Sequence, residues 1–232
     1  GPRYGNLDIG DKGLGRLIEP IEMFDILFNK KEKVIVTSGP TSEYLDDVRA
    51  ITNKSSGKQG RAVAIELMSL GYDVVYIHSK TISPVAGAKN ISFDTSKELQ
   101  EAMNIEANST KHLYMVAAVS DFIPEKVEGK MKRTEGSMTL NLSPNVDIVK
   151  EYKEKYKMIN VISFSAQTND DLNFEKINEK NSDFLVINNI NDNSFGSETN
   201  KVTIINKKDK VFESEEKNKH IIAQEIIKNT LI

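Results

Sequence analysis

Three short apolar runs, separated by stretches of helical spacing, constrain this chain more than any other feature. The first is Val34-Ile35-Val36, bounded by Gly39-Pro40. The second is Asp73-Val74-Val75-Tyr76-Ile77, and the third is Leu113-Tyr114-Met115-Val116-Ala117-Ala118-Val119. Ala62, Ile65, Leu67 and Met68 recur at helical spacing before Gly71, and a weaker helix is predicted from Ser96 to Ile105. Strand and helix in alternation make parallel βαβ units. Right-handed crossovers then align the C-terminal ends of the strands along one edge, where a ligand crevice opens. Further on, Met138, Leu140 and Leu142 alternate with polar residues as in a half-buried strand, and a helix is expected over 146–156. Strands at Val161–Phe164 and Phe184–Ile187 flank a helix near 170–181, a hairpin occupies 202–212, and an amphipathic helix closes the chain at 215–230. The predicted class is α/β: a Rossmann-like, doubly wound, mostly parallel sheet with a small antiparallel annex.

Composition narrows the function. A length of 232 residues allows one sizeable core but not two full enzymes, at about 150 residues per domain. Lys+Arg 31 against Asp+Glu 34 leaves a net charge of −3, so no nucleic-acid partner is expected. Cys 0 removes disulfides, thiolate metal sites and a cysteine nucleophile. No apolar run approaches the ~20 residues of a membrane span, and no secretory signal is visible. A cytoplasmic protein is expected. The start, Gly1-Pro2, reads as a processed or engineered terminus. Residues 1–30 look like a Gly-rich loop feeding a short helix, with the cluster Lys30–Lys33 as the boundary to a main domain at 31–232.

Residues 39–57 carry Gly, Pro, Ser, Asp and Asn without a period, and so long a loop inside a domain is usually functional. Gly39 after a strand suits backbone approach to an anion, and suits an ordinary turn equally well. No G-x-G-x-x-G follows it. In Asn53-Lys54-Ser55-Ser56-Gly57-Lys58-Gln59-Gly60, Ser55 and Ser56 read as N-cap residues of a helix beginning near Gly57. Such a terminus offers N–H donors to a phosphate, and Lys58 adds charge. Capping alone explains one serine, not two serines and two glycines. Asp121 follows the small residues Ala117-Ala118, where a flat ligand could lie; by spacing alone a turn residue is the commoner reading. Lys130, Lys132 and Arg133 sit between Gly129 and Gly136, either as a solvated face or as a basic loop over a triphosphate. Lys176 and Lys180 share one helical face, for which solvation is the simpler account. His78, His112 and His220 form no ligand spacing, and the metal ligands stay unknown. Tyr76 and Lys80 match a dehydrogenase spacing but straddle a strand end, which makes the match one of chance.

Taken together, these segments resemble the phosphopantothenate–cysteine ligase family. The resemblance is carried by Thr37-Ser38-Gly39-Pro40-Thr41-Ser42-Glu43, Asp46-Asp47-Val48-Arg49, Ile51-Thr52-Asn53-Lys54-Ser55-Ser56-Gly57-Lys58, Ala117-Ala118-Val119-Ser120-Asp121-Phe122, Lys130-Met131-Lys132-Arg133, Asn145-Val146-Asp147-Ile148 and Phe164-Ser165-Ala166-Gln167-Thr168. It spans residues 33–230 in order. It implies an amide-forming ligase, unrelated to the ATP-grasp enzymes, that joins 4′-phosphopantothenate to L-cysteine in coenzyme A biosynthesis. The implied co-substrate is CTP with Mg²⁺, acting through an acyl-cytidylate. By that likeness Asn53 and Lys130 are catalytic. Asp121, Lys130, Asn145, Val146, Asp147, Ile148, Phe164, Lys176 and Lys180 would bind CTP, with Lys126 the alternative to Lys130. Gly39, Asn53, Ser55, Ser56 and Gly57 would form the phosphate and substrate loop. Val146 stands where the family has proline, and Gln167 where it has an acidic residue. Residues 8–17 resemble the end of phosphopantothenoylcysteine decarboxylase, with Ile9 in place of its catalytic Cys. Residues 1–30 are thus expected to be the C-terminal tail of an upstream decarboxylase domain, with no flavin on this portion and a homodimer as the assembly. The competing readings are an NAD(P)-dependent Rossmann oxidoreductase, disfavoured by the missing glycine fingerprint, and a non-catalytic nucleotide-binding module.

Overall fold

The computed structural model describes residues 3–6, 12–16, 23, 31–133, 136–168, 172, 174–189 and 196–231. Eight strands form the central sheet: β1 (Lys33–Ser38), β2 (Asp73–Ser79), β3 (Lys89–Phe93), β4 (Thr110–Met115), β5 (Asn160–Gln167), β6 (Phe184–Asn189), β7 (Thr203–Asn206) and β8 (Lys210–Glu213). Their spatial order is β3-β2-β1-β4-β5-β6-β7-β8. The first six are parallel; β7 pairs antiparallel with β6, and β8 antiparallel with β7. The parallel part is therefore the doubly wound order of a dinucleotide-binding fold, with its switch point between β1 and β4. The α/β expectation holds, and the annex is an extension of the same sheet.

The helices are α1 (Lys58–Ser69), α2 (Ser96–Glu106), α3 (Ile148–Lys155), α4 (Phe174–Glu179) and α5 (Lys219–Thr230). Successive strand residues point to opposite faces, which explains why the strand runs are apolar without alternation. Val34 and Val36 pack with Ala62, Leu67, Ile222 and Ile226 from α1 and α5. Ile35 between them packs with Leu99 and Met103 of α2 and Tyr152 of α3. Both faces are thus covered. No helix among the described residues is long and apolar enough to cross a membrane.

Four expectations are corrected. β3 escaped the sequence reading because an edge strand with Lys89, Asn90 and Ser92 mostly exposed carries little apolar signal. β4 ends at Met115, not Val119, because Thr37 Oγ1 accepts from the Ala117 N–H at 3.1 Å and pulls the chain out of register. The long loop at 39–57 contains a ribbon of Ser42–Tyr44 against Ala50–Thr52. The alternating segment at 138–143 is not half-buried: only Leu142–Pro144 is extended, paired with Phe122–Pro124, and Met138, Leu140 and Leu142 are exposed. Its apolar residues project beyond the sheet rather than onto it. At the N-terminus, Arg3–Asn6 pairs with Lys12–Arg16. The short helix expected within residues 1–30, Ile9, and the first part of the helix expected at 170–181 lie outside the described residues, apart from a helical Met23.

Gly60 sets the distance between α1 and β1. A Cβ there would stand 2.7 Å from Ser38 Oγ and 2.9 Å from the Thr37 carbonyl oxygen. The second contact is backbone and does not yield. Gly60→Ala is expected to push α1 off the sheet and cost about 1–3 kcal/mol, the scale of overpacking. A thermal melt showing an unchanged midpoint would contradict this.

Candidate functional site

The crevice lies outside the C-terminal ends of β1 and β4, where a doubly wound sheet opens. Its floor is fastened by backbone hydrogen bonds between the two strand ends. The Ala118 N–H donates to the Gly39 carbonyl at 3.0 Å, and the Thr41 N–H donates to the Ala118 carbonyl at 3.1 Å. Gly39 sits at φ +87°, where a Cβ would come within 2.6 Å of Ile82 Cγ1. Only glycine fits there. Gly39 does not itself line the cavity; it holds the floor in place.

Two adjoining chambers share Ala117, Ala118, Phe164 and Ala166. The larger, about 410 Å³, is lined by Asn53, Lys54, Asp121, Asn145–Ile148, Phe164, Lys176 and Lys180. Residues from five separate parts of the chain therefore converge on one cavity. The smaller chamber, about 180 Å³, is lined by Ser55–Gly60 and by Asn188, Gly196, Thr199, Asn200 and Lys219.

Each wall has a local cause. Asn53 follows the 50–52 ribbon, and its Nδ2 donates to the Ala118 carbonyl at 3.1 Å. That bond ties the loop to the floor and leaves the side-chain amide at the cavity edge. The Asn145 turn is buttoned to the loop after β4: its Nδ2 donates to the Ser120 carbonyl at 2.8 Å and its N–H to the Asp121 carbonyl at 2.8 Å. Asp147 caps α3, with Oδ1 accepting from the Val149 and Lys150 N–H groups, both at 3.1 Å. Its Oδ2 accepts from Lys180 Nζ at 3.0 Å. Lys176 Nζ donates to the buried Ser165 Oγ at 2.9 Å. The two lysines are therefore held inward, not splayed into solvent as their spacing alone suggested.

The first turn of α1 differs from expectation. Gly57, not Ser55 or Ser56, occupies the N-cap, at φ +66° and with no side-chain cap. Ser55 Oγ only accepts from the Gly57 N–H at 3.4 Å. The cause is Ser38, whose Oγ donates to the Gly57 carbonyl at 2.8 Å and forces a left-handed turn there. Residues 55–60 still line the smaller chamber, with the positive end of the helix toward it. At its mouth Lys58 pairs with Glu198 and donates to the Gly196 carbonyl at 2.7 Å. Burial, and then the nearby Lys58 charge, hold the Lys219 ammonium below its ordinary range. The pairing with Lys58 keeps the Glu198 carboxyl below its own.

Lys130 lines neither chamber. It stands exposed on the loop after the Phe122–Pro124 strand, and that loop is fastened to the Asp46–Arg49 turn. The sequence reading missed Asn188, Thr199, Asn200 and Lys219, because single polar residues at the ends of β6 and α5, and in the two-residue strand Thr199–Asn200, carry no spacing signal. Among the described residues, no group of three or more His, Asp or Glu could hold a metal.

Fold and crevice define the class: a doubly wound α/β protein with a cation-lined cavity at its switch point. Residues 29–231 match the family described as the DNA/pantothenate metabolism flavoprotein C-terminal domain, and the chain belongs to that family. The coenzyme A biosynthesis bifunctional protein CoaBC of Bacillus subtilis is 36% identical over 220 residues, covering 88% of this chain and 54% of that protein. The chain thus spans about half the length of such relatives. A cysteine/cysteine sulfinic acid decarboxylase from an unknown prokaryotic organism is 34% identical over 250 residues, covering 99% of this chain and 70% of that protein. The crystal structure of a CoaBC C-terminal domain superposes with a TM-score of 0.73 at 28% identity, over 86% of this chain and 93% of that one. A Cab2 mutant in complex with phosphopantothenate-cysteine has a TM-score of 0.70 at 18% identity, over 90% of this chain and 89% of that one, a likeness of fold.

Proposed function

We propose that this chain is the phosphopantothenate–cysteine ligase portion of a two-part enzyme of coenzyme A biosynthesis. The observation that carries the reading is the convergence of Asn53, Asp121, the 145–148 turn, Phe164, Lys176 and Lys180 on one cavity. All were named from sequence as the residues that would meet CTP or the acyl group. The half-length match to bifunctional CoaBC proteins supports an upstream partner domain. We assign residues 1–30 to the tail of that domain, and 31–232 to the ligase. Any flavin belongs to the upstream half.

In this mechanism the substrate carboxylate attacks the α-phosphate of CTP in line, and pyrophosphate leaves. Lys176 and Lys180 compensate phosphate charge from inside the cavity, and Lys130 from the exposed loop outside it. Mg²⁺ bound with the nucleotide would supply further charge compensation at the phosphates, and among the described residues no group of three or more His, Asp or Glu would hold it. Asp121 and the 145–148 backbone hydrogen-bond the base, and Ala117-Ala118 leave room for it beside Phe164. The cysteine amine then attacks the acyl carbon, the acyl–phosphate bond breaks with CMP as the leaving group, and the nitrogen gives up its proton to solvent to leave the amide. The Asn53 amide, oriented by its bond to Ala118, donates toward the oxygen that gains charge. A cytosine edge would pair with Asp121 and the 145–148 backbone, and a purine would leave those groups without their partners. CTP is therefore expected to turn over faster than ATP by about two orders of magnitude, since a site built to hydrogen-bond one ligand leaves its groups unpaired with another. Equal turnover would refute the base assignment. The homodimer and a cytoplasmic location belong to this proposal.

The deciding experiment is pyrophosphate release from CTP that depends on added phosphopantothenate. A second arm addresses the decarboxylase relative, which covers nearly the whole chain. Carbon dioxide release from cysteine sulfinate without any nucleotide would favour that activity instead. Neither signal, with CTP still bound, would favour a non-catalytic module.

A further inference from the structure

The loop that carries Lys130 is held on both sides of that residue by one tight turn, Asp46-Asp47-Val48-Arg49. On the near side, the Asp47 N–H donates to the Gly129 carbonyl at 3.3 Å, and the Gly129 N–H donates to Asp47 Oδ2 at 3.1 Å. Asp47 Oδ1 pairs with Lys126 Nζ at 3.1 Å. On the far side, the Met131 N–H donates to Asp46 Oδ2 at 3.0 Å, and Arg49 Nη1 donates to the Met131 carbonyl at 3.3 Å. Gly129 and Met131 are thus each fixed at both backbone groups, while Lys130 between them is exposed.

Asp46 is the centre of this arrangement. Its side chain is 0% exposed, an uncommon state for a carboxylate unless it is fully partnered. Oδ1 accepts from the Val48 and Arg49 N–H groups at 2.7 Å, and Oδ2 from Arg49 Nη1 at 2.6 Å as well as from Met131. Burial alone would push its carboxyl up, but the backbone donors and the Arg49 guanidinium outweigh that and keep it below the ordinary range. A local turn needs only the first two of these bonds. The bond to Met131, 85 residues away, serves the other loop.

Resting on the ligase reading above, we propose that Asp46 is a positioning residue for the nucleotidyl-transfer step, clamping the peptide beside Lys130 so that its ammonium is aimed. With its neighbours pinned, Lys130 ranges only as far as its own stem. The Asp46 turn also feeds the 50–52 strand that Asn53 follows, so one turn sets the base of both assigned catalytic side chains.

Asp46→Asn tests this with two readouts. The substitution keeps the shape, but its NH₂ group must face either the Met131 N–H and the Arg49 guanidinium together or the Val48 and Arg49 N–H groups, donors in both cases. Trypsin cleavage of the Lys130–Met131 bond reads the clamp without any activity assay. It is expected to speed up about tenfold, because cleavage needs local opening, while cleavage after the exposed Lys157 stays as in the wild type. Phosphopantothenate-dependent pyrophosphate release reads the aim: kcat/KM for CTP is expected to fall about 10²-fold, the scale of a small misplacement. In the Asp46→Asn background, Lys130→Ala should then cost little more. Unchanged cleavage after Lys130 overturns the clamp. Faster cleavage with Lys130→Ala still costing its full factor overturns the positioning role. A wild-type chain that binds CTP but releases no pyrophosphate removes the ligase reading and the catalytic half of the proposal, and cleavage still decides the clamp. Should Asp46→Asn fail to fold, Asp47→Asn has little packing to lose at 56% exposure. It should move both readouts in the same direction, by about a few-fold.

Discussion

Asn53→Asp is expected to separate the two half-reactions, with the acyl-cytidylate accumulating while amide formation slows by about two to three orders of magnitude, the scale for losing one oxyanion donor. The change keeps size and shape but replaces an NH₂ donor with an anionic acceptor. CTP meets other residues, so pyrophosphate should still form. The Nδ2 bond to the Ala118 carbonyl adds a second consequence. An aspartate there faces a carbonyl oxygen, so the side chain swings away from the floor unless it is protonated. The variant therefore loses both the donor and its orientation. Alanine at this position loses the donor without adding repulsion, and is expected to slow the second step less than aspartate. Quenching with labelled CTP and separating the products resolves the two steps. If no intermediate accumulates and both steps fall in parallel, Asn53 positions the substrate from the start, and the oxyanion role is wrong.

Lys130→Ala is expected to lower pyrophosphate formation by about 10²-fold and to leave the melting temperature unchanged, because an exposed loop lysine has almost no packing to lose. Lys54→Ala is the sharp comparison. Lys54 lines the larger chamber and Lys130 does not. If the cavity needs only positive potential, Lys54, standing at the cavity wall, should cost at least as much. If Lys130 makes a specific phosphate contact from the clamped loop, its loss dominates. Single-turnover rates for the two variants, at matched ionic strength, decide between these.

How much of this was legible in the sequence follows from the range of each interaction. The parallel sheet was legible because its strands are buried on both faces: Val34, Ile35 and Val36 need apolar neighbours whichever way they point, so the run is continuous. The hairpin at 203–213 was legible through its polar turn at Asn206–Asp209. β3 was not, because an edge strand paired on one side has few residues under selection for burial. The motif residues of the crevice could be named one by one, since residue type alone limits what Asn, Asp or Lys can do at a strand end.

Tertiary structure decided their assembly. The solvated reading of Lys176 and Lys180 was sound for an isolated helix, where like charges one turn apart repel. It failed because Ser165 on β5 and Asp147 at the cap of α3 supply acceptors that no local spacing reveals. The N-cap of α1 was assigned to serine by local preference. It passed to Gly57 because Ser38, 19 residues earlier, holds that carbonyl. Asp46 read as one member of a motif, and only the arrival of Met131 from the far loop makes it a clamp. The chain by itself determined which residues could do chemistry and that a doubly wound sheet would carry them, because composition and period act over a few residues. Which groups touch, and so which charges are offset, was settled by contacts across 11 to 140 residues, and those exist only once the sheet has formed.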